Sequence, residues 1–363
     1  MGYFLTKPES RENKYFRTPA FAGVTALMTF CEAVIIYCLK KGDTTMLKEV
    51  DRVEVRTLMD NYVDLLLGNT KVVHRAAHSG GGEIFRDTLV GEHGLSLLVS
   101  VYQGMKKHTV LFDTGYSAVG VPHNIEHLGL DLKEIEGIVL SHGHMDHLGS
   151  LNVLLEKMSK PMPVLVHPYA FTSPRYVTRK DGRKDRFPLM LDRGEIEKRG
   201  GQIVETARPT LICEDMIMVS GEVERTTSFE KGMPHVLVEK NGKLEKDPIL
   251  EDQALFVRLK GEGLVVIGGC SHAGIINTVL YGKKITGAQT VHAVLGGFHL
   301  AGPFFEPIIG DTIDALKAMN PKVVVPMHCT GWKAIHRFEE AFPGVFILNS
   351  VGSTITLSSP SAA

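Results

Sequence analysis

The chain has 363 residues, of which 44% are hydrophobic, enough apolar material for a substantial core in one large domain or two. A formal net charge of −1 excludes a surface that is basic throughout, so neither nucleic acid nor a membrane surface is expected as a partner. Five scattered cysteines, Cys31, Cys38, Cys213, Cys270 and Cys329, exclude a disulfide framework and favour a reducing, cytoplasmic compartment.

Ala20 to Leu39 is largely apolar with basic residues on both sides, the pattern of a membrane anchor or signal segment. Glu32 interrupts it and no small-residue cleavage site follows. The change in character at Gly42-Asp43 therefore favours a non-native extension over residues 1–45, with one domain over 46–363 beginning at Met46.

Arg52 to Leu58 alternates polar and apolar residues as an edge or half-buried strand does, and Asp60-Asn61 closes it with turn chemistry. Ser79-Gly80-Gly81-Gly82 lacks the Lys-Ser/Thr ending of a phosphate loop and reads as a surface loop. His93 stands alone before a strand at Leu95 to Tyr102 and receives no role. Thr109 to Gly115 is an apolar strand that stops at Asp113, whose carboxylate needs partners if it is buried.

The apolar run Gly137-Ile138-Val139-Leu140 then enters Ser141-His142-Gly143-His144-Met145-Asp146-His147. Three imidazoles and a carboxylate on one short turn can hold two ions side by side, with His142 and His144 sharing one. The spacing of Leu148, Leu151, Leu154, Leu155 and Met158 predicts a helix over Leu148 to Met158, which puts Asp146 and His147 at its N-terminus.

A strand at Val164 to His167 follows, so strands alternate with helical stretches and the chain is of the α/β class. Tyr169 to Arg193 breaks this rhythm with Arg175, Arg179, Lys180, Arg183, Lys184, Arg186 and Arg193, either a solvated loop or a lid for an anionic substrate. Gly194 to Met218 offers a further helix and strand, and Gln253 to Gly269 reads as a hairpin. That hairpin ends in Cys270-Ser271-His272, a second candidate metal segment. Val291 to Leu300 is a strand that brings out His299, and Val323 to Pro326, after a helix at Asp311 to Met319, delivers His328. Three strands ending in histidine-bearing turns suit a site on the rim of packed sheets. Gly331 to Phe342 reads as an amphipathic helix with Trp332, Ile335, Phe338 and Phe342 inward. Thr330 is suited to cap it, which would leave an anion site in its first turn that the Arg175 to Arg186 stretch can close over.

The motif His142-x-His144-x-Asp146-His147, in its strand-to-helix setting, resembles the signature of the metallo-β-lactamase-fold superfamily, over about Val53 to Leu357. The resemblance implies a four-layer αβ/βα sandwich with its metal site at one edge of the two sheets. It also implies that Asp113, in Leu-Phe-Asp-Thr-Gly, braces the metal loop without being a ligand. Gly-Cys-Ser-His-Ala-Gly, Leu-Gly-Gly-Phe-His-Leu and Pro-Met-His-Cys-Thr-Gly together resemble the branch of the dihydropterin-ribofuranosylaminobenzene 5′-phosphate synthases, transferases that join an activated pterin to an aminobenzene ribotide.

Two departures bear on the ligands. Gly269-Cys270 stands where the family's hydrolases have Gly-Asp, and Glu251-Asp252-Gln253 stands where a further histidine is sought. The expected metal ligands are His142, His144, Asp146, His147 and His328, then His272, with His299, Cys270 and Asp252 as further candidates. One or two divalent ions are expected, zinc first, with manganese, iron or magnesium as alternatives. The expected substrate is an anionic, phosphorylated small molecule. Transferase chemistry, hydrolysis of a phosphoester, lactone or thioester with Asp146 managing the proton, and non-catalytic metal binding or redox sensing all use these residues.

Overall fold

The computed structural model describes residues 46–188 and 191–360, so the expected extension or anchor over 1–45 lies outside the described residues. Arg52–Met59 buries Val53 and Val55 on one face, and it pairs antiparallel with both Ser96–Gln103 and Thr354–Ser358. Its alternation thus marks an interior strand, half-covered, rather than an edge. Ser96–Gln103 turns back into Lys106–Phe112 through Gly104, whose φ of +58° suits glycine. From Lys106–Phe112 the sheet continues in parallel through Gly137–Val139, Met162–Val166 and Gly201–Glu205. The crossovers carry the helices Gly120–His127, Leu151–Met158 and Arg193–Lys198. Gly137–Val139 and Met162–Val166, buried along their whole length, read as unbroken apolar runs, whereas Gly201–Glu205 at the end of the sheet is partly exposed.

The second sheet runs Thr210–Ile212, Ile217–Val219, Ala254–Leu259, Gly263–Gly268, Val291–Gly297, Val323–Met327, with Glu49–Val50 pairing to Ala254–Leu259. The hairpin expected over Gln253 to Gly269 is present, Ala254 opposite Gly268 and Leu259 opposite Gly263. Its last three strands are parallel, joined through helices Ile275–Thr286 and Ile309–Met319. Alternate side chains then sort into layers. Leu255 and Val257 join Val53, Val55, Val99 and Val101 in the core between the sheets. Phe256, Leu264, Val266 and Val324 face the helices of the second sheet, and Leu111, Ile138, Leu154 and Leu155 form the cluster with the helices of the first. Each large side chain so buried contributes about 1.5–3 kcal/mol, which makes this layering the source of the fold's stability. The architecture is the four-layer αβ/βα sandwich. Among the described residues no helix is long and apolar enough to cross a membrane.

Four local expectations are corrected. The helix after the His-rich loop begins at Leu151, and Met145–His147 forms a separate single turn of 3-10 helix. The reason lies in Gly149 and Ser150, whose N–H groups donate to Gly115 and Thr114 and bind the chain to the Asp113 turn. Gly149 packs so closely on the Tyr116 backbone that no Cβ fits. Trp332 is 71% exposed, because the buried stripe of Trp332–Ala341 is Ala334 and Phe338, with Phe342 just beyond it. Thr330 does not cap that helix. Its hydroxyl donates to Met327 O and accepts from Phe298 N, tying two strand ends together, and Gly331 occupies the N-cap position.

The fourth concerns the basic insertion, whose strands Lys184–Arg186 and Arg175–Thr178 join Val236–Lys240 and Lys243–Lys246 in a four-stranded antiparallel sheet. Arg175 is buried there against Asp247 at 2.9 Å and Glu251 at 2.6 Å, so it is committed to structure and not free for an anion. Arg179 and Arg183 both pair with Asp185.

Candidate metal centre

The candidate residues meet at one edge, where parallel strands of both sheets end. Lys106–Phe112 delivers Asp113, Gly137–Val139 the His-rich loop, Gly263–Gly268 the Cys270 turn, Val291–Gly297 His299 and Val323–Met327 His328. The sheets are stitched together at this edge: Gln253 N donates to Ser141 O and Gln253 Nε2 to Leu140 O. Gly269 lies so close to Ser141 that a Cβ would overlap its side chain.

Two donor groups result. In the first, His272 Nε2 lies 3.1 Å from both His142 Nε2 and His144 Nδ1. Two imidazole nitrogens on one tetrahedral zinc at 2.0–2.1 Å stand roughly 3.3 Å apart, so this convergence matches a shared ion. Burial first, then the neighbouring cationic-prone rings, holds His142 and His272 well below the usual histidine range, and burial takes His144 down to about 3. All three are therefore neutral with lone pairs available. The remaining ring nitrogens His144 Nε2 and His272 Nδ1 are buried and have no hydrogen-bond partner among the described residues.

The second group is Asp146, His147, Cys270 and His328, whose donor atoms lie within 4.8 Å of one another. His147 Nε2 is 3.1 Å from Cys270 Sγ, and His328 Nε2 is 3.1 Å from Asp146 Oδ2. Burial would raise the Asp146 carboxyl, but His147 and His328 beside it hold it below the usual range. Burial would likewise lower His147, yet Asp113 and Asp146 outweigh it and lift the ring to about 9. The electrostatics here call for positive charge. The two groups adjoin, with the rings of His142 and His147 4.2 Å apart.

Behind them the rings are held from their far sides. Asp113, fully buried, accepts from Ser141 N at 2.7 Å, from Ser141 Oγ at 2.6 Å, and lies 2.6 Å from His147 Nδ1. Ser141 Oγ is in turn 2.9 Å from His142 Nδ1. Asp113 thus sits where a brace is expected. Asp252 is not in either group: its Oδ2 accepts from Ala273 N and supports the turn that carries His272. His299 joins neither, and lies instead within 4.8 Å of Cys270 and Cys329 by donor atoms.

Several participants carry no recognisable signal in the sequence. Asp60 accepts from His328 N and Asn61 Oδ1 lies 2.9 Å from His328 Nδ1, so the Asp60-Asn61 turn orients that histidine. His93, which received no role, has its Nε2 3.4 Å from Asp146 Oδ2. Phe187 of the inserted sheet meets the His144 ring edge-on at 5.2 Å. Asp60-Asn61 and His93 do flank strands that end at this same edge, which is a weak hint of their place. A cavity of about 320 Å³ opens beside the centre, lined by Glu230, Lys231, Lys246, His272, His299 and Phe305 among others.

A two-sheet sandwich with an edge cluster of this composition defines a class, and the chain belongs to the metallo-beta-lactamase superfamily, whose family model matches residues 94–213. It is 32% identical over 303 residues to the 7,8-dihydropterin-6-methyl-4-(beta-D-ribofuranosyl)-aminobenzene-5'-phosphate synthase of Methanocaldococcus jannaschii, covering 81% of this chain and 93% of that protein. An uncharacterized protein of the same organism is 33% identical, covering 73% of this chain and 93% of its own length. Among solved structures, Tm1679, described as a metal-dependent hydrolase of the beta-lactamase superfamily, superposes with a TM-score of 0.63 at 28% identity, over 85% of this chain and all of that one. The fold generally binds divalent metals.

Proposed function

We propose that the chain is a metal-dependent enzyme acting on an anionic, phosphorylated small molecule, with His142, His144 and His272 holding one divalent ion and Asp146, His147, Cys270 and His328 a second. Imidazole, carboxylate and thiolate together suit zinc. The observation that carries the reading is the pair of adjoining buried donor groups beside a cavity whose lining includes Lys231 and Lys246.

When bound, such ions supply Lewis-acid stabilisation of the charge that develops on a departing phosphate or on an attacked ester. The chain's own residues do the rest. Asp113 and Ser141 fix the His147 and His142 rings, and Asp60 and Asn61 fix His328. Phe187 and the inserted sheet cover His144 and exclude water from that side. The likeness to the M. jannaschii protein, a synthase by name, favours group transfer. The likeness to Tm1679, a metal-dependent hydrolase by description, supports a second reading, hydrolysis, in which Asp146 Oδ2 receives a proton and exposed His93 passes it to solvent.

The test is to incubate metal-loaded protein with a hydroxymethyl-dihydropterin pyrophosphate plus an aminobenzene ribotide, and separately with phosphodiesters, lactones and thioesters. Condensation with release of pyrophosphate supports the transferase, and turnover of the second panel alone supports the hydrolase. Inactivity towards every phosphorylated compound would remove the substrate class.

A further inference from the structure

We infer that Cys270, His299 and Cys329 form a third donor group, two sulfurs and one imidazole nitrogen, that captures a soft cation such as cadmium or copper(I). The inference deepens the metal-centre reading proposed above, with which it shares Cys270.

The three donor atoms lie within 4.8 Å of one another, and both cysteines are free and buried. Buried thiols are ordinarily small core hydrophobes, and this chain contains such a case for comparison. Cys213 sits in the apolar core with Ile212, Met216 and Ile217. Cys270 and Cys329 belong to none of the apolar clusters and instead face imidazoles. His299 Nδ1 is buried with no hydrogen-bond partner among the described residues. The His299 backbone lies in the left-handed region at φ +46°, as does His328 at +49°. Gly297 keeps the space beside the sulfur open, since a Cβ there would stand 2.7 Å from Cys329 Sγ.

Donor chemistry sets the occupant. Two thiolates and an imidazole prefer zinc, cadmium or copper(I) to magnesium or manganese, and binding releases to solvent whatever protons the two sulfurs still carry as two metal–sulfur bonds form. Because Cys270 Sγ also lies 3.1 Å from His147 Nε2, it either bridges two ions or is drawn from the carboxylate-bearing group to the sulfur-rich one. Soft ions would thereby compete for a ligand of the proposed second ion.

Metal-free protein, with Cys31 and Cys38 replaced by Ser, is titrated with cadmium chloride while the thiolate-to-cadmium absorption is followed. The unaltered cluster should give a two-sulfur band, which Cys329→Ser should reduce to about half and His299→Ala should retain at saturation with roughly tenfold weaker binding. The cadmium NMR shift of the parent, which needs no variant, should report two sulfurs. A one-sulfur shift, or Cys329→Ser and Cys329→Ala proteins that keep the full band and affinity, would overturn the inference. His142→Ala/His144→Ala in the same titration should leave the band intact, so failure of the histidine-held ion is read separately, from its zinc content.

Discussion

Asp113→Asn isolates the charge behind the metal loop. The backbone at Asp113 has φ +62°, which asparagine tolerates as well as aspartate does, so the substitution leaves the turn unstrained. Asparagine Oδ1 can still accept from Ser141 N. The second oxygen, which serves both Ser141 Oγ and His147 Nδ1, becomes an NH₂ group that accepts from neither. Bonds to a buried carboxylate contribute about 1.5–3 kcal/mol each, and Ser141 can recover one by rotating to accept, leaving a net loss of about 2–3 kcal/mol. For a chain of this size that lowers Tm by roughly 3–4 °C. The effect on His147 is more specific. In the neutral ring that a cation requires, Asp113 keeps the one proton on Nδ1 and leaves Nε2 facing Cys270 and Asp146; with an NH₂ opposite, the favoured tautomer moves that proton to Nε2 and blocks the ligand position. Affinity for the second ion should fall roughly 10–100-fold. Elemental analysis after dialysis against a graded chelator should show one equivalent lost early and the other retained. Parent-like Tm together with parent-like retention of both equivalents would refute the argument.

Replacing His142 and His144 together by Ala should abolish the ion of the first group, because only His272 then remains of its three nitrogens; unchanged metal content by elemental analysis would sink the central assignment. Arg175→Met leaves Asp247 and Glu251 buried without their cation, at a cost of about 3–5 kcal/mol, and denaturant titration should show it. The Glu136 hydrogen bond raises His108 above its ordinary 6.5, against the opposing effect of burial. The folded state thus binds the proton more tightly, so this stabilisation is full below pH 6.5 and fades as pH rises through the folded value. His108→Gln should therefore cost less than about 1 kcal/mol at pH 5.5 and nothing at alkaline pH, and an equal cost across that range would exclude the linkage.

Much of the fold was legible because its strands are covered in readable ways. Gly263–Gly268 and Val323–Met327 are fully apolar since helices cover the faces turned from the core, and Arg52–Met59 alternates because its outer face is only partly covered. The His-rich loop was legible because its four ligand-type residues, His142, His144, Asp146 and His147, fall on one short segment. Trp332 was misplaced by periodicity: it lies three residues before Ile335 but just off the stripe of Ala334, Phe338 and Phe342 that the helix buries. Arg175 was misread because a local count of charges carries no information about Asp247 and Glu251, its partners from a later strand pair and turn.

The grouping of the ligands lies beyond what a linear pattern can show. Cys270 and His272 are two residues apart, and an extended chain would send both to one ion. Ser271 between them has φ +55°, and the turn it makes sends the thiol towards His147 and the imidazole towards His142 and His144. That turn is held in place from the neighbouring sheet, with Gly269 against Ser141 and Ala273 N on Asp252. Partners of a residue at the seam of two sheets are chosen by the packing of that seam, which no spacing rule within one segment contains. The same reasoning accounts for Asp60 and Asn61. They are turn residues by local chemistry, and they acquire His328 only because the first sheet's interior strand ends opposite the last strand of the second.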